Sequence, residues 1–171
     1  MIKIKFNKEI AKFIVVFAVS LAVLYFVSIQ FESYIPIFNM QSTAQVLHFF
    51  LKAVGINSRL ENYQIIFSNF SVEIIRQCTG IFEVIAIVSC IVAFPAALKK
   101  KIIGVSLAIP LIYFFNMARL IFLSLLGIYS SSLFEIAHEY LLQLTFLAVV
   151  VFYWLFWIDK VVKKNVPSIE V

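Results

Sequence analysis

Four apolar stretches, at residues 13–29, 79–98, 102–127 and 140–158, constrain this chain more than any other feature. A hydrocarbon core about 30 Å thick takes about 20 helical residues to cross, a length these stretches meet or approach. Lipid offers backbone N–H and C=O groups no partner, so a crossing segment must satisfy them internally, as a helix or in a closed barrel. Four stretches are too few to close a barrel. The expected fold class is an all-α integral membrane protein with about four transmembrane helices. Composition agrees: 63% of the 171 residues are hydrophobic and 13% charged, far from the balance of a soluble domain. Nothing resembles a linker, internal repeat or low-complexity tract, and one multipass domain over residues 1–171 is expected.

Charge sets the orientation. Lys3, Lys5, Lys8 and Lys12 precede the first stretch, Lys99, Lys100 and Lys101 separate the second from the third, and Lys160, Lys163 and Lys164 follow the fourth. Ten of the fourteen basic residues therefore share one side, which the positive-inside rule makes cytoplasmic together with both termini. The first stretch is longer than a signal-peptide core and no small-residue cleavage pattern follows it, so it reads as a retained span. The cell (plasma) membrane is the expected location. The net charge of +5 is read as an orientation signal and not as a nucleic-acid footprint.

Residues 30–77 then form an external segment. It opens with a loop containing Pro36 and an apolar stretch, 44–54, suited to a helix lying on the membrane surface. Gly55-Ile56-Asn57-Ser58 ends that stretch. Two short runs follow, 63–67 and 70–74, separated by the polar pair Ser68-Asn69, a pattern that predicts a β-hairpin. The hairpin delivers the chain into Arg76-Gln77-Cys78-Thr79-Gly80, where Gly80 permits a sharp turn or a close backbone approach. Pro110, in the middle of the third stretch, predicts a kink.

Threading brings Cys78, Arg119 and His138 to the same outer end of three successive spans. Cys78 stands at the start of one, where unpaired N–H groups favour a thiolate, the species that attacks a carbonyl. A small packed cysteine is the plainer alternative. Cys90 lies twelve residues on, about 18 Å along one helix, whereas a disulfide needs Cα atoms about 4.4–6.8 Å apart. No pairing is expected. Arg119 lies in a strongly apolar helix, where arginine costs about 2.5–3.5 kcal/mol to insert and usually has a partner or a function. Asn116, one turn earlier, shares its face; an interfacial anchor is the alternative. His138 can accept and return a proton near neutrality, with Glu135 three residues before it placed to orient the imidazole and Glu139 beside it; a solvated helix start with ordinary charges is the alternative.

Glu83, a little over one turn into its span, either pairs with Arg119 or contacts a substrate. His48, among Leu47, Phe49 and Phe50, reads as part of an interfacial face, and Glu73 as a solvated hairpin residue. The histidines and cysteines have no metal-ligand spacing. Phosphate-cradling glycine loops and Gly-x-Ser-x-Gly are absent. No metal or other cofactor is expected.

In Gln77-Cys78-Thr79-Gly80, then Pro110 and Asn116-Met117-Ala118-Arg119, then His138-Glu139, the chain resembles the exosortase/archaeosortase family of membrane protein-sorting transpeptidases. That family's pattern is Cys-Ser/Thr-Gly opening one helix, Asn-x-x-Arg ending the next and a histidine opening a third; all three occur here in order. The resemblance implies Cys78 as nucleophile, Arg119 as oxyanion stabiliser or substrate clamp, and His138 as acid/base. Asn116, Glu83, Thr79, Gly80, Glu135 and Glu139 would support them.

The implied activity is a cysteine protease/transpeptidase at the outer face. It would act on exported proteins carrying a C-terminal sorting tail (a short motif, a transmembrane helix and a basic end), with an amine, a membrane lipid headgroup or water as acceptor. The alternative is a non-catalytic membrane assembly or scaffolding protein. A transporter fits less well, because its polar groups would line a path near the midplane.

Overall fold

The computed structural model describes residues 8–30 and 39–162; Lys3, Lys5, Lys163, Lys164 and the loop around Pro36 lie outside them. Helix α1 covers Lys8–Gln30, α2 Met40–Ala53, α3 Ile81–Ala93, α4 Leu98–Tyr129 and α5 Ser131–Trp157, which runs on into a π-helical turn, Ile158–Val162. Between α2 and α3 lie three short strands, β1 (Arg59–Glu61), β2 (Gln64–Ile66) and β3 (Ser71–Glu73).

Among the described residues three helices are long and apolar enough to cross a membrane: Lys8–Gln30 of 23 residues, Leu98–Tyr129 of 32, and Ser131–Val162 of 32. The fourth expected span, over 79–98, is only the 13-residue α3, about 20 Å long at 1.5 Å per residue. It stops where Phe94 turns extended (φ −72°, ψ 136°). Residue 95 is proline, whose ring disfavours a helical conformation in the residue before it. The architecture is an all-α membrane protein with three long spans, one shorter apolar helix and a small sheet. Helix α4 continues unbroken through Pro110.

The hairpin expected over 63–74 is present and belongs to a larger unit. β2 and β3 pair antiparallel, Ile65 opposite Val72, and β1 adds to the other edge of β2 with Leu60 opposite Ile65. The β1–β2 turn uses Asn62 in the left-handed region (φ 54°), a conformation asparagine tolerates better than most residues. The β2–β3 turn closes when the Phe67 N–H donates to the Phe70 carbonyl at 2.8 Å.

Among the described residues, two hydrophobic clusters hold the fold together. One joins α3, α4 and α5 through Ile87, Ile91, Ala108, Ile112, Tyr153 and Trp157. Its end near the lysine run is clamped by Trp157, whose Nε1 donates to the Lys100 carbonyl at 3.0 Å, and by Tyr153, whose hydroxyl donates to the Gly104 carbonyl. Gly104 makes this approach possible, since a Cβ there would lie 2.3 Å from Trp157 Nε1.

The second cluster joins α2, the sheet and the far half of α4 through Leu47, Leu51, Ile65, Ile74, Met117 and Leu120. The expected helix over the apolar stretch 44–54 is present as α2, and it leaves Phe49, Phe50 and Val54 exposed while packing another face inward. It buries Thr43, Ala44, Leu47 and Leu51 within the protein, because the strands and α4 supply apolar partners. His48, read from the sequence as interfacial, pairs through Nδ1 with Ser58 Oγ at 2.9 Å.

Candidate active site

The segment that carries Cys78 is built from local hydrogen bonds. The Ile74 N–H donates to the Tyr63 carbonyl at 2.9 Å, which fixes the exit of β3. A 3-10 turn, Arg76–Cys78, follows; the Cys78 N–H donates to the Ile75 carbonyl at 2.8 Å and the Thr79 N–H to the Arg76 carbonyl at 3.2 Å. The Thr79 hydroxyl donates to the same Arg76 carbonyl at 2.8 Å and accepts from the Ile81 N–H at 3.4 Å. Both capacities of that hydroxyl are therefore spent on the turn. Gly80 then caps α3 in the left-handed conformation (φ 83°, ψ 4°), which glycine adopts without a Cβ penalty.

Cys78 thus sits two residues ahead of the helix cap and not on the first turn of α3. It is only 2% exposed, packed in the cluster that contains Met117 and Leu120. Burial pushes the thiol above its ordinary value; a backbone hydrogen bond at Ile75 and the Arg119 charge pull it down, and the Glu83 charge adds to the rise. Desolvation thus opposes the thiolate-favouring effect expected of a helix start, since burial disfavours the charged form.

Helix α4 reaches this turn with two polar side chains from one face. Asn116 Nδ2 donates to the Cys78 carbonyl at 2.8 Å, and Arg119 Nη2 donates to the Gln77 carbonyl at 3.4 Å. Arg119 Nη1 also lies 3.6 Å from Glu83 Oε1, both side chains almost fully buried. Asn116 packs against Gly80, whose imaginary Cβ would lie 3.5 Å from the Asn116 Cβ. Several polar atoms here are buried without a hydrogen bond: Asn116 Oδ1, Arg119 Nε and Nη1, and Glu83 Oε2. Such orphans are rare in native proteins, and each asks for a role.

His138 lies seven residues into α5, and register brings it to the same level. Helices α4 and α5 meet at Ser130, which ends one and caps the other. The pairs Tyr153–Gly104 and Trp157–Lys100 share a three-residue offset about that corner. The same offset sets His138 opposite Arg119.

The ring of His138 stacks on Phe134, centroids 5.4 Å apart and planes 23° apart. Glu135 and Glu139 are exposed, and among the described residues no hydrogen bond joins either to His138 or joins His138 to Cys78. Three-residue spacing put Glu135 on a shared face, but the imidazole takes the aromatic neighbour one residue further back. The sequence reading gave Gln77 no role beyond opening the Cys78 motif, and it missed Phe134. Gln77 acts through its main chain, which no side-chain pattern displays; the signal for Phe134 was its i, i+4 spacing to His138.

Among the described residues no three histidine, cysteine, aspartate or glutamate side chains converge as metal ligands. No curated protein and no solved structure matches the chain. The transmembrane exosortase profile matches residues 11–155, a span that contains every residue of the cluster just described. The chain belongs to the transmembrane exosortase family.

Proposed function

We propose that the protein is a membrane-embedded cysteine protease/transpeptidase that cleaves the C-terminal sorting tail of exported proteins at the outer face of the cell membrane. The observation that carries this reading is the buried Arg119, whose Nε and Nη1 make no hydrogen bond while Nη2 is anchored beside Cys78. A fixed cation with unspent donors, next to a thiol and away from bulk water, suits an oxyanion that exists only during acyl transfer.

In the proposed cycle His138 takes the thiol proton as substrate arrives. Cys78 Sγ then bonds to the scissile carbonyl carbon, and the negative charge moves to the carbonyl oxygen, where Arg119 donates to it. Collapse breaks the C–N bond. The leaving amine takes its proton from His138, and the acyl group stays on Cys78 as a thioester. An acceptor amine, lipid headgroup hydroxyl or water then loses a proton to His138 and attacks the thioester carbon; the C–S bond breaks, and His138 returns that proton to the Cys78 sulfur. Asn116 and Gly80 hold the Cys78 main chain, and Glu83 holds Arg119.

The test is processing of a co-expressed tail-bearing substrate by wild type and by folded Cys78→Ala, Arg119→Ala and His138→Ala. The proposal expects cleavage by wild type alone, with an acyl adduct on Cys78 identifying the cut site. Normal processing by Cys78→Ala would sink the cysteine mechanism.

A second reading, a non-catalytic membrane assembly or scaffolding protein, draws on the near-complete burial of Cys78. Thiol labelling with substrate present separates the two. A reactive site labels or forms an adduct once substrate binds, whereas a packing cysteine stays inert throughout.

A further inference from the structure

We propose that Phe70, in the turn between β2 and β3, is a positioning residue for His138, acting through the ring of Phe134 and seated on Gly127. The inference rests on the reading of His138 as the acid/base.

The contacts form one continuous line from the sheet to the imidazole. Phe70 meets Phe134 edge-on, centroids 4.8 Å apart and planes 66° apart, the arrangement that sets a positive ring edge against a negative ring face. Phe134 in turn stacks on His138 one helical turn later. The plane of the imidazole is therefore set by Phe134, and that of Phe134 by Phe70.

Gly127 is what lets Phe70 reach this place. A Cβ on residue 127 would stand 2.1 Å from Phe70 Cε1 and 2.4 Å from its Cζ. Any side chain there evicts the ring. The turn itself is tied down beside this seat, with Phe70 stacked on Phe67 at 6.0 Å and Asn69 Nδ2 donating to the Ile128 carbonyl at 3.4 Å. The hydrogen bond that closes the turn uses the Phe70 carbonyl.

The arrangement has a purpose beyond packing, because the same segment carries the nucleophile. Eight residues after Phe70 the chain reaches Cys78 through β3 and the 3-10 turn. One rigid element thus grips the α4–α5 corner with its turn and presents the thiol with its exit. Thiol and imidazole come from segments 60 residues apart and have no hydrogen bond between them among the described residues. A shared support is the means by which their separation stays fixed.

The test uses full-length protein in membranes, with His48→Gln as the background so that His138 is the only histidine. Phe70→Leu keeps apolar bulk and removes the ring; Phe70→Tyr keeps the ring; Gly127→Ala keeps Phe70 and removes its seat. Two readouts are taken: turnover of a tail-bearing substrate with KM resolved from kcat, and the rate of His138 carbethoxylation by diethyl pyrocarbonate.

The expected result is a fall of about tenfold or more in kcat for Phe70→Leu and Gly127→Ala with KM little changed, the size that small misplacements of a reacting group produce. Phe70→Tyr stays near wild type, and the two impaired variants carbethoxylate several-fold faster. Wild-type labelling of His138 in Phe70→Leu overturns the proposal, as does equal impairment by Phe70→Tyr and Phe70→Leu. Failure of the underlying reading shows separately, as normal processing by His138→Gln; labelling then decides the positioning by itself.

Discussion

Asn116 holds the main chain of Cys78 from a different helix, its Nδ2 donating to the Cys78 carbonyl at 2.8 Å with both groups buried. The contact fixes the backbone of the proposed nucleophile without touching its sulfur. Replacement by alanine leaves a buried carbonyl without its donor, which costs about 1–3 kcal/mol. Asn116→Ala should therefore lower the unfolding midpoint in detergent and slow substrate processing, whereas Asn116→Gln, with a longer amide, recovers stability better than rate. Unchanged midpoint and rate in Asn116→Ala would count against the assignment.

Glu83 and Arg119 form a pair that is costly to halve. Removing one partner of a buried ion pair destabilises on the order of 3–5 kcal/mol, because the remaining charge is left uncompensated. Glu83→Gln is expected to fall in that range, and the double change Glu83→Gln with Arg119→Gln to lose less than the two single changes added together. Additive losses in a double-mutant cycle would show that the two side chains are not coupled.

Gly80 separates space from strain. A Cβ at this position would make only ordinary contact with Asn116, at 3.5 Å, but its φ of 83° is unfavourable for any residue with a Cβ. Gly80→Ala should cost on the order of 1–2 kcal/mol through the backbone alone. Asparagine, which tolerates this region better, should cost less than alanine despite its greater size. If thermal unfolding ranks the two the other way, crowding and not backbone strain governs the position.

Cys78 sets the pH response. Its thiol is held above the ordinary value by burial, so the folded protein keeps that proton more tightly than the unfolded chain does. The associated stability is complete below the unfolded thiol's pKa and is lost as pH rises through the folded one. In a Cys90→Ala background, iodoacetamide should label Cys78 slowly near neutrality and accelerate only above the ordinary thiol range. Cys78→Ala should reduce the alkaline stability loss. A labelling midpoint below that of a free cysteine would contradict the burial seen here.

The sequence made the long spans legible because lipid imposes one rule on every residue of a crossing helix. It also exposed the hairpin, through alternation around Ser68-Asn69. It did not disclose that α3 stops at Ala93, since apolar character continues past the proline and hydropathy weighs composition, not conformation. Strand β1 was missed because three residues, Arg59, Leu60 and Glu61, are too few for a period to show.

At the site, residue types and order pointed to Cys78, Asn116, Arg119 and Glu83, and the structure brings these into one cluster. The thiol's burial was not readable, because it depends on α2 and the strands folding over a turn distant in sequence. Nor was the neighbour of His138, where a charged residue at i−3 and an aromatic one at i−4 compete for the same ring.

The length of α4 turns the site into a ruler. Its 32 residues run for about 48 Å, against about 30 Å of hydrocarbon. Counted from Leu98, Asn116 and Arg119 stand roughly 27 and 32 Å along it, so a helix whose lysine run sits in one headgroup layer presents these two side chains at the opposite edge of the oil. For the proposed tail-bearing substrates, only a peptide bond lying within a few residues of the tail's own hydrophobic segment would come level with Cys78. Chain length between motif and membrane, as much as the motif's chemistry, would then decide which bond is cut.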